Sequence, residues 1–265
     1  MQMQKKKFIH FDTINSTYKT DSYNTTFNLF MPLHRVSRIY LKSIEMPIGF
    51  SNIRSSYCNV NYTLTKSNIS TTYSFTMTEK IYTSIATFLT DLNLAFSNSI
   101  TQYLATGESA PVFSISTIYT NKIIMTQTLI STVMTIQSKT LLSYYLGFNY
   151  SLDKVVKTGN IAVTSFSNVY SLNFDNYLNM TIANLPLKHC NNNLLNCTFK
   201  IPLNSLQNTV YYTSENLSFI QDISFDDPNQ VITNLNFIIT DRYGNNISSN
   251  GMDYSLTLGF EFYNN

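Results

Sequence analysis

The chain has 265 residues, of which 43% are hydrophobic and only 12% are charged, and its formal net charge is +2. The polar residues are mainly uncharged, because 32 Asn, 30 Ser and 32 Thr make up about a third of the sequence. With 7 Gly and 14% aromatic residues, collagen-like and intrinsically disordered classes are excluded. Residues that favour strands (Thr, Ile, Tyr, Phe) outnumber strong helix formers, so we expect a β-rich globular protein.

The N-terminal sequence does not predict secretion. Lys5, Lys6 and Lys7 precede an apolar run that is too short for a signal peptide. No window of about 18 residues is free of polar side chains, so we expect no membrane-spanning helix. The cysteines are Cys58, Cys190 and Cys197. An odd number of cysteines forms no complete disulfide framework, and reduced thiols in a cytosolic compartment are expected.

Charge is distributed unevenly along the chain. Residues 1–54 hold eight Lys or Arg against three acidic residues, a net charge of +5, whereas the remainder has a net charge of −3. We expect residues 1–10 to form a basic arm outside the compact domain. Through Lys5, Lys6 and Lys7 this arm would contact an acidic protein surface, lipid headgroups or nucleic acid, although an ordinary solvated tail explains the same charges. Sequence-specific recognition of nucleic acid is not expected, because aromatic and Arg residues are not interleaved.

Alternation of apolar and polar residues predicts the first strands. They cover residues 25–30, 35–46, 60–65 and 71–76, with a turn at 68–70. Pro32 and Pro47 bracket the second run, as expected at a strand boundary or a sheet edge.

A helix is predicted over residues 79–104, where apolar residues recur at intervals of three and four. Thr76 and Glu79 have the spacing of a capping box at its start. A meander of strands at 112–118, 122–127 and 132–136 is expected next. A helical turn follows at 141–146, closed by Gly147, and the polar segment 149–160 is the best candidate for a boundary.

The last part of the chain predicts six more strands, at 177–183, 197–201, 210–212, 217–223, 235–240 and 254–262. The final strand is the clearest, because Leu256, Leu258 and Phe260 share one face and polar residues occupy the other. Strict alternation is typical of a half-buried antiparallel strand. We expect this strand to be central in its sheet, since an exposed apolar edge would aggregate.

Histidine and cysteine give no metal or acid–base constellation. His10 and His34 belong to β-like segments, where structural histidines are the ordinary case. His189 and Cys190 precede Cys197 without the paired short spacing of zinc modules. No Gly-x-Ser-x-Gly, Gly-x-Gly-x-x-Gly, P-loop or His-Glu-x-x-His string occurs.

Acidic residues also fail to form a catalytic pair. Asp226 and Asp227 are adjacent, so their side chains point in different directions and are poorly placed for glycoside hydrolysis. Asp241, Gly244 and Asn245 suit a turn better than a calcium loop, which needs more carboxylates. We therefore predict no catalytic, cofactor-binding or metal-binding residues, no cofactor and no enzymatic activity.

Four segments resemble capsid proteins of nucleocytoplasmic large DNA viruses (giant viruses), in particular their minor capsid and penton-like proteins. They are the segment 39–54 (IYLKSIEMPIGFSNIR), the opening Phe11-Asp12-Thr13, the tripeptide Leu146-Gly147-Phe148 and the ending 241–262, in which Asp241, Gly244, Gly251 and Asp253 match the family pattern. Taken in chain order, the four segments extend over nearly the whole chain.

The resemblance implies a jelly-roll type antiparallel β-sandwich, mainly β with one helical insertion. We expect a single domain over residues 11–265 with a helix-containing insertion at about 77–148. The implied role is a minor capsid or penton component of an icosahedral virion, made in the host cytoplasm. Its implied partners are the major capsid protein and other minor capsid proteins, copies of itself in a pentamer, and an inner membrane surface.

A second class of function fits the composition. A β-sandwich adhesin or carbohydrate-binding module would use exposed Tyr and Asn to stack on and hydrogen-bond sugars.

The neutral polar surface instead favours assembly with other proteins, because Ser, Thr and Asn are desolvated at lower cost than Lys or Glu.

Overall fold

The structure is a computed structural model. It describes residues 5–54, 58–118, 121–129, 132–136, 146–147, 154–156, 162–165, 169–170, 172, 177–185, 198–203, 210–214 and 222–263. Several sequence predictions lie outside these residues, namely the turn at 141–145, most of the segment 149–160, the strand at 217–221, and His189, Cys190 and Cys197.

The described residues form seventeen strands, one α-helix and 3-10 turns at Thr13–Asn15 and Thr101–Tyr103. The elements before the helix are β1 (Lys6–Asp12), β2 (Tyr18–Asp21), β3 (Asn24–His34), β4 (Val36–Pro47), β5 (Asn59–Lys66) and β6 (Ile69–Thr76). The helix α1 (Ile85–Ile100) is followed by β7 (Ser109–Ile115), β8 (Ile123–Thr128), β9 (Val133–Ile136), β10 (Lys154–Val156) and β11 (Ala162–Ser165). The remaining strands are β12 (Tyr177–Ile182), β13 (Phe199–Pro202), β14 (Val210–Ser214), β15 (Asp222–Ser224), β16 (Val231–Thr240) and β17 (Ser255–Phe262).

The chain divides into two compact units, of which unit 1 comprises residues 1–50 and 175–265. Unit 1 contains two antiparallel five-stranded sheets. Sheet A has the order β1-β17-β4-β14, with β15 also paired to β4, and sheet B has the order β13-β12-β16-β3-β2. The rings of Phe11 in sheet A and Phe27 and Phe237 in sheet B meet at centroid distances of 5.2 and 5.4 Å. These edge-to-face contacts belong to the buried core of a β-sandwich.

Strand β17 lies inside sheet A, between β1 and β4. Leu256, Leu258 and Phe260 are buried in the core, as their alternation predicts. The prediction that this strand is central in its sheet is confirmed.

Residues 6–10, which we expected in an N-terminal arm, instead belong to strand β1 of sheet A. Residues from Lys6 to Asp12 pair with β17 in continuous register, from Lys6 opposite Glu261 to Asp12 opposite Ser255. The physical reason is a second alternation, in which Phe11 is buried and Ile9 packs against the core while the intervening side chains face outward. The three lysines obscure this short strand in the sequence.

Unit 2 comprises residues 51–174 and contains two further antiparallel sheets and α1. Sheet C has the order β10-β9-β5-β6, and sheet D has the order β11-β8-β7. Phe88, Leu92 and Phe96 of the helix are buried in the core of this unit. The predicted apolar stripe of the helix is therefore a packing face, as expected of an amphipathic helix.

The helix begins later than the capping-box pattern predicts. Ser84 is the N-cap, and its hydroxyl accepts a hydrogen bond from the backbone N–H of Ala86 at 3.2 Å. Thr76 instead ends β6, where its hydroxyl donates to Asn59 Oδ1 at 2.7 Å. The Thr-x-x-Glu spacing was thus a coincidence of composition in a chain rich in threonine.

The predicted meander and domain boundary also differ from the structure. Strands β7 and β8 pair, but β9 pairs with β5 rather than with β8. Because this pairing draws the β5–β6 hairpin into unit 2, the structure forms two units where we expected one domain with an insertion at about 77–148. Residues 154–156, expected in a boundary segment, form β10 against β9. The predicted all-β class with antiparallel sheets and one helix is confirmed.

Candidate functional site

The acidic residues considered for catalysis have structural roles. The Asp241 carboxylate is fully buried and accepts hydrogen bonds from the backbone N–H groups of Tyr243 and Asn245, at 2.8 and 2.9 Å. Asp227 Oδ1 accepts a hydrogen bond from the N–H of Asn229 at 2.8 Å, and Asp226 is exposed beside it. Asp241 and Asp227 therefore stabilise turns, as their sequence contexts predict.

The histidines are similarly placed in strands. His10 Nδ1 lies 3.3 Å from Thr257 Oγ1 on the exposed side of sheet A, and His34 ends β3. Among the described residues, no three His, Cys, Asp or Glu side chains are grouped as a metal ion would require. No helix in the described part of the chain is long and apolar enough to cross a membrane.

The outer face of sheet A carries a row of alternating charges. Lys6, Glu261 and Arg38 are cross-strand neighbours on β1, β17 and β4. Lys6 Nζ lies 2.9 Å from Glu261 Oε1, and Arg38 Nη1 lies 3.7 Å from Glu261 Oε2. Arg38 Nε in turn donates to Asp222 Oδ2 at 2.5 Å. Opposite charges placed directly across strands stabilise the sheet and fix its register.

Glu261 is the best-shielded member of this charged row, since only 7% of its side chain is exposed. The hydrogen bond and charge of Glu261 raise the pKa of the Lys6 ammonium above its ordinary value. Of the three lysines predicted to contact a partner, Lys6 thus has a carboxylate within its own sheet, while Lys5 and Lys7 are exposed beside it. Contact of these three lysines with a partner stays a prediction.

Aromatic rings continue the same outer face. Phe8 and Tyr40 lie on either side of Gly259, edge to face, with ring centroids 6.5 Å apart. Lys42 Nζ lies 3.9 Å from the centroid of Phe8, and Arg38 lies 5.5 Å from that of Tyr40. These cation–π contacts hold the aromatic and charged side chains in an alternating arrangement on the outer face of sheet A. Aromatic residues and Arg are also enriched in protein interfaces.

In unit 2, the β5–β6 hairpin of sheet C carries hydroxyl groups on its outer face. Thr63 and Thr72 form one cross-strand hydrogen bond at 3.0 Å, and Thr65 and Ser70 form a second at 2.8 Å. The β5–β6 turn has positive φ at Ser67 and Asn68, as a two-residue hairpin requires. Alternation of Thr with buried Tyr62 and Leu64 was the signal that could have identified this face in the sequence.

A third surface is a bulge in β3, which we define as residues 29–32 (Leu-Phe-Met-Pro). Asn28 pairs with Asn234 and Leu33 with Ile232, so four residues of β3 oppose the single residue Thr233. Phe30 is fully exposed to solvent, and Met31 is 60% exposed. Sequence reasoning assigned Pro32 to a strand boundary and missed the bulge, although the Phe-Met-Pro run breaks the alternation of the strand.

Comparison with known proteins gives a match only at the level of structure. No family model matches the sequence, and no curated protein matches it. The crystal structure of the mavirus penton protein is similar with a TM-score of 0.54 and 10% sequence identity, over 98% of this chain and 100% of that one. A chain of the Sputnik virophage cryo-EM structure aligns over 96% of this chain with 13% identity and a lower TM-score of 0.38.

The similarity to the mavirus protein covers 98% of this chain, and it concerns the fold, since only 10% of the aligned residues are identical. The predicted fold class is confirmed, and the chain has a jelly-roll type of antiparallel β-sandwich fold, which is similar to that of a viral penton protein.

Proposed function

We propose that this chain is a structural protein of a viral capsid, a penton or minor capsid component that acts through contacts with other capsid subunits. The observation that carries the proposal is the similarity in fold to the mavirus penton protein, which covers 98% of this chain and 100% of that one. Shared fold alone does not specify function. The proposal therefore also relies on the surfaces of this chain.

The outward faces described above suit burial in an assembly. On sheet A, Lys6, Arg38, Glu261 and Asp222 are paired across strands, and the β5–β6 hairpin of sheet C exposes hydroxyl groups. Burial of paired charges and hydroxyl groups in an interface costs less free energy than burial of isolated charges, because each charge keeps an oppositely charged partner. The low charged fraction of the chain, 12%, has the same consequence over the whole surface.

The partners in this proposal are the major capsid protein, other minor capsid proteins and further copies of the chain, and its location is the virion. A closed ring of five copies requires one heterologous interface repeated around the axis. Each contact can be modest, roughly 1,000 Å² in total, because many are summed over a symmetric shell. No catalytic step is part of the proposal.

Mass spectrometry of purified virus particles tests the proposal. We expect the chain in intact virions in a fixed ratio to the major capsid protein. Its absence from virions, with abundance only in infected-cell cytosol, would contradict the structural role. If the chain is present in virions, light scattering after size exclusion distinguishes a penton from a minor capsid protein. A penton should form a pentamer, and a minor capsid protein should not.

A further inference from the structure

We propose that Asn250 is a site of spontaneous deamidation, at which the side-chain amide is converted to a carboxylate through attack by the backbone nitrogen of Gly251. The modification loosens the loop 248–252. This inference does not depend on the proposed capsid function. Its first observation is in the sequence, where only one of the 32 Asn, Asn250, is followed by Gly. Glycine has no Cβ, so it shields its backbone nitrogen less than any other residue does.

Asn250 and Gly251 are the two central residues of a tight turn. The turn is closed by a hydrogen bond from the N–H of Met252 to the carbonyl of Ser249 at 3.1 Å. The φ angles are 53° at Asn250 and 77° at Gly251, so both residues are in the left-handed region, as in a type I′ turn. Both are exposed, and a Cβ atom placed on Gly251 would meet no atom within 4 Å. Water and hydroxide therefore have access to this dipeptide.

The backbone nitrogen of Gly251 is not held by a hydrogen bond. In the same turn, the N–H of Asn250 donates to Ser248 Oγ at 3.1 Å, and the N–H of Met252 closes the turn. Within the described part of the chain, the N–H of Gly251 has no acceptor. Removal of its proton therefore breaks no hydrogen bond inside the protein, and the attacking nitrogen forms at lower cost than it would at a paired N–H.

The reaction needs only base and water. Base removes the proton of the Gly251 nitrogen, which bonds to Cγ of Asn250 and closes a five-membered succinimide ring. The bond from Cγ to Nδ2 breaks, and ammonia leaves. Water then adds to one of the two ring carbonyls and opens the ring, which gives aspartate or isoaspartate at position 250. The nitrogen reaches Cγ when the turn opens, and this opening is local because residues 248–252 belong to no strand or helix.

Loss of the amide removes a contact that holds the loop. Nδ2 of Asn250 donates to the carbonyl of Gly49 at 2.6 Å, and Met252 covers Gly49 so closely that a Cβ there would lie 1.4 Å from its Cε. A carboxylate at position 250 accepts hydrogen bonds only, so it cannot replace this donor. It also adds a negative charge to a loop in which Asp21 already accepts a hydrogen bond from the N–H of Ser249 at 3.1 Å. Deamidation therefore weakens the attachment of the loop to residues 47–50.

Peptide mass spectrometry of the full chain, aged in mildly alkaline buffer and digested in acid, tests the site. We expect Asn250 to gain the mass of an amide-to-acid conversion, at a rate that rises with hydroxide concentration. Asn68 is the matched control, because it is exposed in a turn with a φ of 64° but is followed by Ile69, whose branched side chain shields the backbone nitrogen. An intact Asn250, or conversion no faster than at Asn68, would overturn the proposal.

The consequence for the loop is tested with Asn250→Asp, which carries one product of the reaction from the start. We expect its melting temperature to fall by about 2–4 °C, the shift for loss of one hydrogen bond in a chain of this size. Asn68→Asp, with the same change of charge in an exposed turn, should melt as the wild type does. Ageing should lower the melting temperature of the wild type towards that of Asn250→Asp and leave that variant unchanged. Equal melting temperatures for Asn250→Asp and the wild type would contradict the loosening of the loop.

Discussion

The ring of Tyr40 lies directly over Gly259 on the outer face of sheet A. A Cβ atom placed on Gly259 would lie 2.3 Å from Tyr40 Cζ, closer than any real contact, so only glycine leaves space for this ring. The ring contacts Phe8 and Arg38 in turn. The alternation of charged and aromatic groups on this face therefore depends on one missing methyl group.

Gly259→Ala should displace the Tyr40 ring and lower the free energy of unfolding by about 1–3 kcal/mol, the usual cost of overpacking. Chemical denaturation measures the change. In a chain that also carries Tyr40→Ala, Gly259→Ala should cause a much smaller loss of unfolding free energy, because the clash disappears with the ring. A Gly259→Ala protein as stable as the wild type would show that the ring does not occupy this position.

Leu258→Asp should abolish soluble expression. Leu258 is fully buried in β17, and an unpaired carboxylate there has no partner to offset its desolvation. Thr257→Asp is the matched control, since the neighbouring side chain is on the outer face and only partly buried. Solubility after expression and the melting temperature are the measurements, and a normally folded Leu258→Asp protein would contradict the central position of β17.

Truncation of the N-terminus tests whether these residues form a strand of sheet A or an arm outside the domain. Deletion of residues 1–5 should change the melting temperature little, because β1 begins at Lys6 and only one backbone hydrogen bond is lost, from the N–H of Phe262 to the carbonyl of Lys5. Deletion of residues 1–11 removes Phe11 from the core and should destabilise unit 1 by about 3–5 kcal/mol, as loss of a buried aromatic side chain does. Equal melting temperatures for the two deletions would restore the arm hypothesis.

Asp253 should contribute stability that depends on pH. Its Oδ1 accepts hydrogen bonds from Lys19 Nζ at 2.7 Å and from the hydroxyl groups of Thr13 and Ser22, each at 2.8 Å. The hydrogen bond from Lys19, with smaller contributions from the two hydroxyl groups and the Lys19 charge, outweighs partial burial and lowers the pKa of the carboxyl below its ordinary value of 3.8.

Because the pKa is lower in the folded state, the unfolded chain binds more protons near pH 4. The stabilisation is complete above the unfolded pKa and is lost as the pH falls through the folded one. We expect Asp253→Asn to lower the free energy of unfolding by about 1 kcal/mol at about pH 6 and by much less at about pH 2. Urea denaturation at both pH values measures this, with the exposed Asp227→Asn as control. A difference that does not shrink in acid would refute the role of the ionised carboxylate.

The sequence predicted the long elements because their periodicity is strong. Strand β17 and α1 were recognised from residues such as Leu258 and Phe96, which recur at the spacing of one buried face. The partners of β9 could not be predicted in this way. Val133–Ile136 is equally suited to β8 and β5, and only the tertiary packing of unit 2 selects β5.

The candidate surfaces were predicted even less completely. Lys6 was identified as a charged residue, but its partner Glu261 lies at the other end of the sequence and is brought near only by the pairing of β1 with β17. The exposure of Phe30 follows from a register irregularity in β3. Register across a sheet is set by both strands together, so neither surface could be inferred from a local segment.

The position of β17 between β1 and β4 has a consequence for biosynthesis. Strands β1 and β4 leave the ribosome before unit 2, and β17 leaves it after unit 2. Unit 2 is continuous in the chain and can fold as soon as residues 51–174 have emerged, whereas sheet A waits for an inserted central strand. Until then the facing edges of β1 and β4 are open and prone to pair with other nascent chains. Slow translation or a chaperone during that interval would therefore improve the yield of unit 1 while leaving unit 2 unaffected.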